Sequence, residues 1–392
     1  MLQVAVKRLR KFWPGSSIEV LTSAPNMLVH YCPDAHPVSS RGRTIWCKTQ
    51  NLLGSIQNVV PARAYNLLMS LHEMKCRMIR NEDLTTFLTS LHQADLVIAS
   101  GGGYLTDTFE KDAIRVLNVI GLAAQSGKPT AMFGQGIGPI KSRKLLSKAG
   151  TTLPLLDLIA LREKRAGLPI LESLGVASDN VMTTGDDSIE LAYEARATGL
   201  GTALGVNLRV AAYSRVQEHH IKTLRLVLQD AAGKHGVSLV PVPILFRSKE
   251  PDNRIIRYLL SGNNDASERC QTLEDPVKAI EKIGLCRIVI TGSYHGAVFA
   301  LAQGIPIVGL ARSAYYMDKF LGLADQFGSG CEVISLDDEN LREKLAGSID
   351  TTYRSAEQLK PQLLKAAERQ IALSRLAYQR IYELAESGNA KR

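Results

Sequence analysis

The chain has 392 residues, of which 45% are hydrophobic and 22% charged, a size that suits two domains and a composition that excludes disordered and fibrous classes. It has no run of about 18 uncharged apolar residues, which argues against a spanning helix, and its charged start, "MLQVAVKRLRKFW", argues against a secretory leader. The net charge is +9, but the basic residues are dispersed and aromatics amount to 6%, which favours an enzyme with an anionic substrate over a nucleic-acid binder.

Residues 2–13 read as a helix with Leu2, Val6, Leu9 and Trp13 on one face, docked on a sheet or lying on a membrane surface, and the strand "IEVLT" (18–22) follows. A doubly wound domain starts with a strand and a tight loop, so an opening helix leads us to expect that both are missing from the front. Helical patterns run through residues 51–92. "ADLVIASGGGYLTD" (94–107) reads as a buried strand ending in three glycines, and "AIRVLNVIGLAAQSG" (113–127) as a helix closed by Gly127. "PTAMFGQGIGPI" (129–140) reads as another strand running into glycines, with further short strands at 156–163 and 180–187. The pattern restarts after "ATGLG" (197–201), with strands at 203–209, 237–244, 287–292, 306–311 and 331–336 separated mostly by helices such as 216–234 and 276–284. A long helix is expected over 355–387. This alternation predicts an α/β fold with two Rossmann-like domains, residues 1–197 and 198–350, facing each other across a cleft, and a helical tail over 351–392.

Ligands of such sheets bind beyond the carboxyl ends of the strands, and the candidates are taken from there. "SGGGY", with Gly101, Gly102 and Gly103, and "GQGIGP", with Gly134, Gln135 and Gly136, either let backbone N–H groups approach an anion or form tight turns. Neither is a GxGxxG fingerprint or a P-loop. Arg162 and Arg209 each close a strand, where a guanidinium either grips a carboxylate or phosphate with two prongs or pairs with an acid such as Glu163. Asp186 and Asp187 are expected to cap the helix "SIELAYEA" rather than share acid–base work or bind a metal. His295, beside Ser293 and Tyr294, follows a buried strand, starts a helix and has small neighbours. The helix start favours a neutral ring and a bound phosphate would favour the protonated one, which gives a group able to move a proton near neutrality. Tyr315 and Lys319 in "YYMDKF" reach the same rim, to contact a sugar and a phosphate or to pack within a lid helix. Six scattered cysteines (Cys32, Cys47, Cys76, Cys270, Cys286 and Cys331) without CxxC or metal-like spacing fit a reducing cytoplasm and offer no metal-ligand set.

Together, "LVIASGGGYLTD", "GQGIGPI", "LREKRAG", "GVNLR" and "TGSYHGAVFALAQGIPIVGLARSAYYMDKF" resemble, in order and spacing over about residues 1–330, the polysaccharide pyruvyl transferase family. The resemblance implies two Rossmann-like domains of GT-B type. It also implies transfer of pyruvate from phosphoenolpyruvate to two hydroxyls of a saccharide, forming a cyclic ketal, in surface polysaccharide synthesis. His295 would transfer the proton and Arg162 would bind the donor, the two converging from opposite lobes on a small, doubly anionic metabolite. The implied partners are phosphoenolpyruvate, as donor substrate, and a lipid- or nucleotide-linked saccharide; no cofactor, metal or nucleic acid is expected. The chain departs from the family pattern at Ser293, where some members carry arginine, and at Ala166, where the "R-E/D-x-x-S" segment has serine. It also lacks the family's opening strand and Asn-x-Gly-Asp type loop. Two other readings share the architecture: a GT-B-type glycosyltransferase using a nucleotide sugar, and a catalytically inactive binding protein.

Overall fold

In the computed structural model of the chain, short apolar runs form strands and the amphipathic runs between them form helices. The structure describes residues 1–54, 81–211, 214–244, 252–261 and 275–389. Residues 55–80 of the expected helical stretch, together with Cys76 and Cys270, lie outside the described residues.

Two compact units emerge, the first made of Met1–Ala160, Ile170–Met182 and Arg375–Arg392 and the second of Leu161–Pro169 and Thr183–Ser374. Residues 161–169 and 183–197, expected in the first domain, thus belong to the second unit. The expected tail divides too, 351–374 going to the second unit and 375–392 to the first.

The first unit opens with α1 (Leu2–Phe12), β1 (Glu19–Thr22), α2 (Pro25–Tyr31), β2 (His36–Ser39) and α3 (Ser40–Gly54), in which β1 and β2 pair in parallel. There follow α4 (Glu82–Gln93), β3 (Val97–Ala99), β4 (Gly102–Leu105), α5 (Glu110–Gln125), β5 (Thr130–Ile137) and α6 (Arg143–Thr152). Last come β6 (Leu158–Leu161), α7 (Gly167–Ser173) and β7 (Val181–Thr183), of which Leu161, residues 167–169 and Thr183 fall to the second unit. The main sheet runs β3-β5-β6-β7, with β4 also on β5. Every residue of β5 is buried, as a central strand covered on both faces requires. On α5, Ala113, Leu117 and Ile120 recur at helical spacing and are buried. Gly127, at a φ of 72°, takes the left-handed turn that follows this helix. On α1 the buried side is Val4, Ala5, Val6 and Arg8, the last with its guanidinium 4.9 Å from the ring centre of Tyr378.

The second unit contains α8 (Ser188–Glu194), β8 (Ala203–Asn207), α9 (Glu218–His235), β9 (Leu239–Pro241), α10 (Asp252–Leu260) and α11 (Pro276–Gly284). These are followed by β10 (Cys286–Thr291), α12 (Tyr294–Ala302), β11 (Ile307–Ala311), α13 (Ala314–Phe327), β12 (Cys331–Ser335) and α14 (Leu341–Asn389). Its sheet is parallel throughout in the order β12-β11-β10-β8-β9. Leu204, Val206, Ile288, Ile290, Val308 and Leu310 pack against Leu224, Val227 and Leu228 of α9 in one core. Helix α14 starts earlier than expected and continues through Pro361.

Candidate functional site

From β8 the chain winds to β9 on one side, then returns to place β10 on the other side of β8. The order therefore reverses between β8 and β10, and the carboxyl ends at such a reversal are where open α/β sheets take ligands. The register sets Thr291 opposite Asn207, so the two ends are level. Asn207 Nδ2 donates to the Val242 carbonyl at 2.8 Å, and the Thr291 hydroxyl meets Asn207 Oδ1 at 3.3 Å. The Ser293 amide donates to Thr291 Oγ1 at 2.9 Å, which turns the chain out of β10 and into α12. Gly292 gives this turn a close approach to the chain leaving β8, since a Cβ there would lie 3.2 Å from the backbone nitrogen of Arg209. The expected pieces Arg209, Ser293, Tyr294 and His295 are thereby assembled at one sheet end.

Around His295 the second unit gathers charges from other strand ends. Asp186, beyond β7, places Oδ2 at 3.8 Å from His295 Nε2 and at 3.7 Å from Arg162 Nη1, beyond β6. Both Arg162 and Asp186 are buried, and the Arg162 guanidinium lies 4.1 Å from the ring centre of Tyr294. Tyr315 and Lys319 come from α13, where Lys319 Nζ hydrogen-bonds the Tyr315 hydroxyl and lies 5.8 Å from the ring centre of Tyr294. Arg162 and His295 thus sit in the same unit and do not converge from two lobes.

The electrostatics follow from this crowding. The His295 side chain keeps 35% of its surface accessible, yet the surrounding protein makes its charged form costly. Burial is the main cause; the pull of Asp186 opposes it, Arg162 and Lys319 add to it, and the pKa is pushed down to about 4. Burial also drives Lys319 well below the ordinary lysine range, with Arg162 acting in the same direction. For Asp186, burial opposes the charge, but His295, Arg162 and the Ser188 hydrogen bond together hold the carboxyl below the usual carboxylate range. Burial raises both the Tyr294 phenol and the Glu163 carboxyl. At neutral pH the cluster is a buried guanidinium–carboxylate pair beside an uncharged imidazole.

Not every candidate joins this cluster. Gly101, Gly102, Gly103, Gly134, Gln135 and Gly136 belong to the first unit, with Gly101 in the short link between β3 and β4. Gly102 and Gly103 are inside β4, while Gly134, Gln135 and Gly136 are inside the fully buried β5. The glycines there allow close backbone approach: a Cβ on Gly101 would lie 3.0 Å from the Gly134 carbonyl oxygen. Gln135 donates to the carbonyls of Ala99, Ser100 and Phe133, and so ties β5 to the chain between β3 and β4.

Asp186 was assigned to helix capping from the sequence, and its place beside the histidine was not foreseen. The capping expectation holds in part, since Asp186 Oδ1 accepts from the Ser188 amide at 2.9 Å. Asp187 makes no cap bond; its carboxylate accepts from Ser374 Oγ at 2.7 Å. The available signal was position: Asp186 follows β7 as Arg162 follows β6. Among the described residues no group of three or more His, Cys, Asp or Glu is placed to hold a metal ion, and no helix is long and apolar enough to cross a membrane. Cys32, Cys47, Cys286 and Cys331 are free thiols.

A family model for polysaccharide pyruvyl transferase matches residues 1–314. None of the curated proteins compared with the chain matches significantly. Among solved structures, a Listeria monocytogenes protein assigned as a UDP-N-acetylglucosamine 2-epimerase is similar at a TM-score of 0.58 and 12% identity, over 100% of this chain and 93% of the other. The UDP-GlcNAc 2-epimerase from Neisseria meningitidis, bound to UDP-GlcNAc, gives 0.53 and 12%, with 95% of this chain and 95% of the other covered. A glycosyltransferase from Rickettsia africae gives 0.53 and 11%, with 98% and 93% covered. These likenesses show the GT-B-like fold. They also correct the expectation of pyruvyl transfer from phosphoenolpyruvate to form a cyclic ketal. The frame is the one that these epimerases and transferases use, and none of the three is a phosphoenolpyruvate-dependent enzyme. The physical reason lies at Arg162, the expected donor-binding cation: its guanidinium is buried between Asp186 and the Tyr294 ring, not held out towards a metabolite.

Proposed function

The chain belongs to the polysaccharide pyruvyl transferase family, and within that family's GT-B-type frame we propose a glycosyltransferase that takes its donor as a nucleotide sugar and a saccharide as acceptor. The observation that carries this reading is His295, partly accessible and uncharged, at the strand-order reversal and in the first turn of α12. A helix start is a natural seat for a phosphate, because its free N–H groups and dipole favour negative charge. Arg209 follows β8 at the same sheet end, and Lys319 lies 5.8 Å from the ring centre of Tyr294. The Neisseria relative bound to UDP-GlcNAc supports a uridine diphosphate sugar as the first donor to try.

The chemistry then has a simple balance. The acceptor hydroxyl oxygen bonds to the anomeric carbon of the donor while the bond from that carbon to the diphosphate oxygen breaks. Neutral His295 takes the hydroxyl proton, and the helix start with its nearby cations receives the negative charge on the leaving diphosphate. Thermal unfolding tests the binding step. UDP and UDP-GlcNAc should raise the melting temperature, since a ligand at a hundredfold excess over its Kd adds about 2.7 kcal/mol. If phosphoenolpyruvate stabilises the folded chain and no nucleotide or nucleotide sugar does, the proposal is wrong.

A further inference from the structure

We propose that Asp186 is a positioning residue for His295: its carboxylate holds the imidazole with the proton on Nε2 and leaves Nδ1 to take the substrate's proton. Three observations carry this. First, the carboxylate is fixed from its far side, with Oδ1 accepting from both the Ser188 amide at 2.9 Å and the Ser188 hydroxyl at 2.6 Å. Second, its backbone is held in place: Gly185, at a φ of 83°, turns the chain where any side chain would be strained, and a Cβ there would lie 2.5 Å from Gln370 Oε1. Third, Oδ2 is buried without a hydrogen-bond partner among the described residues, and it faces His295 Nε2 at 3.8 Å and Arg162 Nη1 at 3.7 Å. A fixed acceptor aimed at one ring nitrogen selects the tautomer that carries its proton there. The separation is longer than a formed hydrogen bond, as it commonly is before substrate arrives.

Arg162 has the complementary part. Its guanidinium is covered by the Tyr294 ring, and Gln326 Nε2 donates to its main-chain carbonyl at 3.1 Å, which anchors the residue's backbone. It keeps Asp186 ionised, so that the carboxylate accepts a hydrogen bond and does not donate one. Asp186 acts through His295 and touches no substrate in this arrangement.

The inference deepens the proposed function but rests on it only for the kinetic part of the test. Full-length protein labelled with 15N in its histidine rings is observed by NMR at pH 7, with the His295 signals identified by their loss in His295→Gln. The native ring should show a single tautomer protonated on Nε2, and Asp186→Asn should show a mixture of both. With UDP-GlcNAc as donor, kcat of Asp186→Asn should fall by about 10²-fold while KM stays close to native. A folded Asp186→Asn whose His295 ring keeps the native tautomer overturns the inference, whatever the kinetics. If Asp186→Asn does not fold, Ser188→Ala removes one of the two anchors on Oδ1 and should give partial mixing; an unmixed ring there overturns it equally. A native enzyme that does not turn over UDP-GlcNAc refutes the proposed function and leaves the NMR result to decide this one.

Discussion

A histidine that remains uncharged to about pH 4 is available as a base over the whole neutral range, and protein crowding at the start of α12 brings this about. The same depression has a sign in the pH dependence of stability. The unfolded chain protonates this ring near pH 6.5, whereas the folded chain does so near 4. Between those values the unfolded state holds more protons, so this residue lowers stability as the pH falls from about 6.5 to about 4. His295→Gln should therefore flatten the fall in melting temperature over that window relative to native protein, and should reduce turnover by about 10²–10⁴-fold with the circular dichroism unchanged. Unreduced turnover would remove His295 from the chemistry. His295 was legible in the sequence because a lone ionisable ring among small residues stands out between a strand and a helix. Asp186 was not, since an acid after a strand and before a helix looks the same whether it caps or faces a histidine.

Polar side chains inside the sheet hold the site's elements in line. Asn207 joins β8 to the segment after β9 through the Val242 carbonyl, and to β10 through Thr291. Replacing it with leucine keeps the branched shape but removes the donor to the buried Val242 carbonyl, at a cost of about 1–3 kcal/mol. Denaturant titration of Asn207→Leu should show this loss, and native stability would mean that the bonds contribute little. The strands themselves were readable, because β-branched and apolar runs bounded by Gly, Pro and Asp have few alternatives. The glycine segments were misread for a physical reason. Gly102, Gly103, Gly134 and Gly136 look like loop residues by composition, yet they lie within strands, and strand pairing depends on neighbours remote in sequence.

At the scale of the whole chain, the first unit is closed by residues from the far end of the sequence. Tyr378 of α14 stacks on Phe133 of β5 with ring centres 3.8 Å apart, and Ala377, Tyr378 and Ile381 complete the core formed with Ala131, Leu158 and Ala160. Tyr378→Ala should cost about 3–5 kcal/mol, read as early loss of first-unit signals in thermal unfolding. A variant that melts like the native protein would show that α14 is an accessory to this unit. The sequence by itself determined the α/β class, most of the parallel strands and the histidine at the β10–α12 seam, because periodicity and local turn chemistry act over a few residues. Only the tertiary structure decided that Arg162 and Asp186 stand beside that histidine, and that the chain's last helix belongs to both units. Those facts depend on which remote segments pack together, and that is settled by burial and charge pairing across long loops of chain rather than by any local pattern.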